Sequence, residues 1–351
     1  MKFIEVQSAG ITDTGKQRSE NQDQFLVAEI TRSMAVRFGS MPVEKGSRLF
    51  GGPMGYLFLV ADGMGGHRGG SEASQFAIQY FANAILNSTS WSAKIETSDE
   101  DSFVEDLKRM LANAHQAIID RSEANFGFEG MGTTLTMAYV VWPRVFVVHA
   151  GDTRCYLLRN KELQLMTRDH TVANEMMQKG QLSPDELERS HWSNVLVNAL
   201  GAGASSVFAE VYKHDLQQGD SLLLCSDGLN KHVSDDQIRK SLLAAIDPMR
   251  TCQELVDLAK QGGGSDNITV VTVRFLDADK PASRMRIIAA VPSKESVLQD
   301  LEIPETELDT SVDEPGHGEI SDKSTSNGLR ETIDFFESGD GAKDGFRDAS
   351  E

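Results

Sequence analysis

The stretch 57–70, LFLVADGMGGHRGG, constrains this chain more than any other. Its apolar run Leu57-Phe58-Leu59-Val60 predicts a buried strand that delivers one carboxylate, Asp62, to its end. Glycines crowd the residues that follow, and a helical pattern begins near Ser71. A strand that stops at Asp-Gly and gives way to bare backbone brings something close to its tip: a partner chain, a phosphate or a metal. The positions of the other carboxylates are what can separate the three.

Taken in order, residues 3–9 and 24–30 predict strands on either side of a polar connection holding Arg18, Asn21, Gln22 and Asp23. Residues 31–55 contain Gly and Pro without clear periodicity and are expected to form an excursion or a mobile insertion. Residues 72–86 and 101–119 repeat apolar side chains at helical spacing and are expected to pair as one layer. From Gly132 the period changes to a meander of short strands, TTLTMAYVVW, VFVVHA, CYLLR and LQLMT, with tight turns between them. Residues 192–204 read as irregular. A further hairpin covers 209–214 and 221–225, and Ser234 with Gln237 has the spacing of a capping box opening a helix. Pro248 opens another helix, and ITVVTVRF is the last strand.

Charge divides the chain. The whole carries −19, and the segment from Asp277 onward holds −11 of it. That balance argues against nucleic acid or an anionic membrane as partner, since either would repel the chain. The segment 277–351 is rich in Asp, Glu, Ser, Gly and Pro and poor in large aliphatics, so it is expected to be a largely disordered acidic tail after a domain spanning 1–276. Within it, residues 331–337, ETIDFFE, form a short acidic-aromatic patch, read as a chance cluster in preference to a docking peptide. No apolar stretch approaches the roughly 18 residues of a spanning helix, and the N-terminus lacks a signal-peptide pattern. Cys155, Cys225 and Cys252 are too few and too scattered for a disulfide framework, and the two in apolar strand-like runs read as small buried hydrophobes. A reducing cytoplasm is the expected compartment.

The strand ends carry the chemistry. Asp62 follows LFLVA, Asp152 follows VFVVHAG, Asp227 follows LLLCS, Asp266 precedes ITVVTV, and Asp23 precedes the second strand. A single Asp-Gly is ordinarily a plain turn. Five carboxylates at strand edges are harder to explain that way, because carboxylates brought together repel unless protonated or neutralised by cations. An oxygen-only donor set selects a hard ion, Mg²⁺ or Mn²⁺, and three or four aspartates call for more than one. Two such ions suit an in-line displacement at phosphorus. Cysteine phosphatase chemistry fits poorly: six residues beyond each cysteine stand Lys161, Lys231 and Leu258, not the arginine of a Cys-x5-Arg loop.

The segments RSENQD, LVADGMGGHRGG, MGTT, VVHAGDTRCY, TRDHT, LLLCSDGLNKHV and GGGSDNITVV occur in the order shown by the metal-dependent protein phosphatases, the type-2C Ser/Thr phosphatases. Over about residues 4–275 the chain resembles that family, and DGMGGH and NQD are similar to bacterial members. The resemblance implies an α+β fold, an αββα sandwich of two antiparallel sheets flanked by helices. It implies hydrolysis of phosphoserine and phosphothreonine by attack of a metal-bridging hydroxide. By motif, Asp62 would bridge two Mn²⁺ or Mg²⁺ ions, the Gly63 carbonyl would bind one, and Asp227 and Asp266 the other. Asp23 would hold a metal-bound water, Asp152 would ligate a third, weaker ion, and Arg18 would clamp the phosphate. The implied partners are phosphorylated protein substrates of a bacterial Ser/Thr kinase, met by a monomer.

Two departures bear on mechanism. Gln22 stands where many eukaryotic members have Glu, and Met64 stands where they have a proposed general-acid histidine. His67 lies three residues further on and reads as a packing or loop residue rather than the catalyst. A catalytically silent phosphoprotein-binding module is the competing reading; an intact aspartate set speaks against it, and Mn²⁺ binding discriminates the two.

Overall fold

The computed structural model describes residues 4–35, 48–65, 69–87, 100–183, 186, 190–244 and 247–277. All of these lie in the first of two units, Met1–Met285 and Arg286–Glu351. Three strands open the chain: β1 (Ile4–Asp13), β2 (Asp23–Ala35) and β3 (Arg48–Met64). Two helices follow, α1 (Gly69–Asn87) and α2 (Glu100–Ala124). The meander comprises β4 (Gly132–Thr133), β5 (Leu135–Val141), β6 (Arg144–Ala150), β7 (Arg154–Arg159) and β8 (Glu162–Leu165). Next come α3 (Val172–Gln178), a 3₁₀ turn at His191–Asn194, β9 (Leu200–Gly201), β10 (Glu210–Asp215) and β11 (Ser221–Cys225). The chain then forms α4 (Asp227–Asn230), α5 (Asp235–Ala244), α6 (Pro248–Gln261) and β12 (Ile268–Asp277).

The strands form two sheets in which every pairing is antiparallel. One runs β1-β12-β11-β7-β8; the other runs β10-β6-β5-β3-β4-β9, with β2 also paired to β3. Three apolar layers hold the stack together. Phe58, Val60, Val147, Leu222, Val271 and Phe275 pack between the sheets. Phe81, Leu107, Leu111 and Ile118 of α1 and α2 pack on the outer face of the second sheet. Ile238, Leu255 and Val256 of α5 and α6 cover the outer face of the first. This is the expected αββα sandwich.

The continuous apolar run of β3 now has its cause. Leu57, Leu59 and Ala61 point into the layer under the helices, whereas Phe58 and Val60 point between the sheets. A strand covered on both faces cannot alternate apolar with polar. Helix ends follow local chemistry in the same way. Ser234 and Gln237 exchange hydrogen bonds as a capping box, and Asp247 caps α6, its side chain accepting from the Met249 N–H, with Pro248 in the first turn.

Two expectations are corrected. Residues 31–55 are not an excursion throughout: β2 continues to Ala35 and β3 starts at Arg48, with Ala35 opposite Arg48. The pairing shifts register at Ile30/Thr31 and again at Thr31/Ser33, and such irregularities erase the period-2 pattern by which a strand is read. Residues 192–204 contain part of the 3₁₀ turn and β9. Residues 88–99, His67, the cluster at 331–337 and all of 278–351 lie outside the described residues.

Candidate active site

One end of the sandwich gathers the strand ends named above. Asp23 opens β2 and Asp62 lies next to the last residues of β3, so pairing of those strands sets them side by side. Asp152 sits on the turn between β6 and β7, where Gly151 adopts a φ of +119°. Asp227 begins α4 directly after β11, and Asp266 immediately precedes Asn267 and β12. Arg18, Asp62, Gly63, Asp152, Asp227 and Asp266 all line one cavity of about 720 Å³. Asp23 lies behind it, 1 % exposed. All the residues expected at the site therefore converge.

Backbone contact closes the floor. A Cβ on Gly63 would stand 2.1 Å from the Gly70 carbonyl oxygen and 2.7 Å from that of Gln22, so only glycine lets β3, the 22–23 segment and α1 meet. A Cβ on Gly228 would meet the Asn267 carbonyl oxygen at 1.9 Å, which ties α4 to the start of β12. Asn267 fastens the polar connection: its Oδ1 accepts from the Gln22 N–H, and its Nδ2 donates to the carbonyls of Thr14 and Glu20. The Asp62 N–H donates to Thr134 Oγ1 at 3.0 Å.

The electrostatics are those of crowded carboxylates. Burial, then the charges of Asp23, Asp227, Asp152 and Asp266, push the Asp62 carboxyl well above the ordinary range. Burial and neighbouring acids also raise Asp152 and Asp227. Asp23 rises to about 7, chiefly by burial, although its Oδ2 accepts from Ser226 Oγ and Thr269 Oγ1, both at 2.7 Å. Asp266 is the exception. Burial raises it, but Lys231 and Arg18 outweigh that and hold it below the usual value. Arg18 grips Asp266 with both edges of its fork, Nε to Oδ1 at 2.9 Å and Nη2 to Oδ2 at 3.1 Å.

These residues fit hard divalent cations. The donor set is all oxygen, and Asp23 Oδ1 and Asp227 Oδ1 are buried without a hydrogen-bond partner. Crowding of this kind is relieved by positive charge. Among the described residues no three His, Cys, Asp or Glu side chains already stand as a ready-made cage. Cationic side chains instead occupy Asp227 and Asp266: Arg18 on the second and Lys231 on both.

Sequence reading missed three supports. Ser226 and Thr269 orient Asp23, and Lys231 reaches two of the aspartates. The spacing Asp227–Lys231, four residues on a helical start, was a visible signal for the last. Met64, in place of a histidine, lines the cavity and carries no exchangeable proton. The segment after β8 borders the site through Asn194, Val195 and Leu196.

Comparison with known proteins agrees with this geometry. The sequence model described as Protein phosphatase 2C matches residues 49–261. The chain is 34% identical over 221 residues to the serine/threonine phosphatase stp of Listeria monocytogenes, covering 62% of this chain and 83% of that one. It is 31% identical over 271 residues to the protein phosphatase PhpP of Streptococcus pneumoniae, covering 77% and 97%. Its fold matches the catalytic domain of the serine/threonine phosphatase PstP in complex with two manganese ions, with a TM-score of 0.60, 29% identity, and coverage of 78% of this chain and 100% of that domain. With the ordered motifs, the sandwich and the carboxylate cavity all in agreement, the chain belongs to the protein phosphatase 2C family.

Proposed function

We propose that the chain removes phosphate from phosphoserine and phosphothreonine of proteins as a Mn²⁺- or Mg²⁺-dependent phosphatase, using the cavity at the end of the sandwich. The observation that carries this is the convergence of Asp62, Asp152, Asp227 and Asp266 with Arg18 on one cavity, Asp23 lying directly behind. In this reading Asp62, the Gly63 carbonyl, Asp227 and Asp266 would hold two ions, with Asp23 supporting them from behind and Asp152 serving a third place. When bound, the ions neutralise phosphoryl oxygens and lower the pKa of water so that a nucleophile is available near neutral pH.

The chain's own groups do the remaining work. Arg18, 57 % exposed, can turn its fork from Asp266 to a phosphoryl group, which presents the same paired oxygens as a carboxylate. Ser226 and Thr269 keep Asp23 oriented by donating to one of its oxygens, leaving the other free. Met64 cannot protonate a leaving alkoxide. Asn194, Val195 and Leu196 form the wall against which a substrate's polypeptide would rest.

We further assign the catalytic unit to residues 1–276 and treat 277–351 as an appendage outside the chemistry. The proposed setting is a cytoplasm in which the protein, as a monomer, opposes a Ser/Thr kinase. No helix among the described residues is long and apolar enough to cross a membrane, and the charge of −19 disfavours an anionic surface. The test is hydrolysis of a phosphothreonine peptide by purified protein at millimolar Mn²⁺, with an EDTA control. No metal-dependent release of phosphate from any phosphopeptide or aryl phosphate would end this reading.

A further inference from the structure

Lys231 stands out among the residues that the phosphatase reading leaves unused. It lies four residues after Asp227, and its N–H donates to the Asp227 carbonyl at 2.9 Å, so its backbone is fixed one turn from that carboxylate. Its ammonium is ion-paired with Asp227 Oδ2 and stands 3.1 Å from Asp266 Oδ2. The side chain is 26 % exposed and forms part of the wall between the active-site cavity and a neighbouring one of about 1060 Å³. One cation thus serves the two aspartates assigned above to a single divalent ion.

We propose that Lys231 is a tethered counter-ion, which holds Asp227 and Asp266 together in the metal-free protein and must leave them when a divalent cation loads. The inference rests on the reading of those two aspartates as metal ligands. Two observations support it. Asp227 is too buried to be neutralised by bulk salt, being 8 % exposed with its other oxygen lacking a hydrogen-bond partner, and the Asp266 side chain is only 18 % exposed. A way out is present: the second cavity adjoins the first along Lys231, so the flexible four-carbon stem can carry the ammonium there without moving α4.

The consequence is an affinity set by competition. Each oxygen lone pair given to the ammonium is withheld from the metal, and the displaced charge stays near the ion because its backbone cannot follow it. Removing the ammonium therefore strengthens metal binding while weakening the metal-free fold. Loss of a lysine that only braced the structure would lower stability with and without metal, and loss of one that only met substrate would leave metal affinity unchanged.

The experiment is calorimetric titration of Mn²⁺ into the full-length protein and into Lys231→Met, with thermal melting of each in EDTA and in saturating Mn²⁺. The expected result is Mn²⁺ binding about tenfold tighter in the variant, or about 1.4 kcal/mol. Its melting temperature should be lower in EDTA, with a larger Mn²⁺-induced rise than in the wild type. Lys231→Gln repeats the test if the methionine variant does not fold. Equal or weaker binding in a folded variant overturns this inference alone. Absence of Mn²⁺ binding in both proteins overturns the metal reading of Asp227 and Asp266, and this inference with it.

Discussion

Asp23 and Asp62 are register partners across the β2–β3 ladder, the first residue of one strand opposite a residue near the end of the other. Directly opposed like charges destabilise a sheet. Here the pairing is retained at the edge where three further aspartates arrive, and burial with the neighbouring carboxylates raises both groups. The ladder commits the protein to a site that needs added positive charge.

Asp227→Asn keeps the shape of the side chain and removes its charge. Outer supports of metal ligands typically cost 10- to 100-fold when lost, so loss of a ligand should cost at least about a hundredfold in turnover. Mn²⁺ affinity should fall with it. Calorimetry and phosphopeptide hydrolysis on the same preparation check both, and unimpaired Mn²⁺ binding would remove Asp227 from the ligand set.

Gly63→Ala tests the floor. The added methyl would lie 2.1 Å from a backbone oxygen of Gly70, so α1 must separate from β3. Overpacking of this kind costs about 1–3 kcal/mol. For a domain of this size each kcal/mol lowers the melting temperature by roughly 2–4 °C. Melting curves with and without Mn²⁺ read the effect, and a wild-type melting temperature with full activity would contradict it.

The site was legible in the sequence because each aspartate sits beside a strand end and the motif order is intact. The β2–β3 extension was not, since its register shifts break the alternation that marks a strand. The second half of the Lys231 bridge was not legible for a different reason. Beyond Asp227, Lys231 also pairs with Asp266, 35 residues away in sequence, and only the fold brings those two together. Ser226 and Thr269 lay inside quoted motifs, yet a hydroxyl's partner cannot be read from spacing alone.

Acid should weaken the fold through His149. This fully buried ring sits between Thr136 Oγ1 at 2.9 Å and the Arg168 carbonyl at 2.9 Å. Burial, reinforced by the charge of His170, lowers it to about 4 from an ordinary 6.5. The unfolded chain therefore binds the extra proton first as pH falls. Stability is full above about 6.5 and declines toward 4, by an amount on the order of 3 kcal/mol. Urea unfolding across that window measures the slope, and His149→Gln should flatten it. A slope unchanged in the folded variant would assign the acid sensitivity elsewhere.

Asp152→Ala separates the third place from the other two. Asp152 is 7 % exposed on the β6–β7 turn, which is held from behind by the Gly151 N–H donating to His170 Nδ1 at 3.1 Å. Removing its carboxylate leaves Asp62, Asp227 and Asp266 in place. The expected outcome is retained high-affinity Mn²⁺ binding, with turnover that needs a higher Mn²⁺ concentration to saturate. A metal titration of phosphopeptide hydrolysis decides it; an unshifted curve would exclude Asp152 from metal binding.

Truncation after Asp277 should leave the chemistry intact. The last described strand, β12, ends there with Asp277 opposite Ile4, so the cut completes the β1–β12 ladder rather than interrupting it. Every residue assigned to the site precedes it, and Asn267, which fastens the 14–22 connection, stays within β12's approach. Removing the segment takes away −10 of charge and none of the assigned ligands. Hydrolysis of a small aryl phosphate should stay within about twofold of the full chain, a change under roughly 0.5 kcal/mol in the barrier. Loss of that activity in a folded truncation would place part of the catalytic unit beyond residue 277.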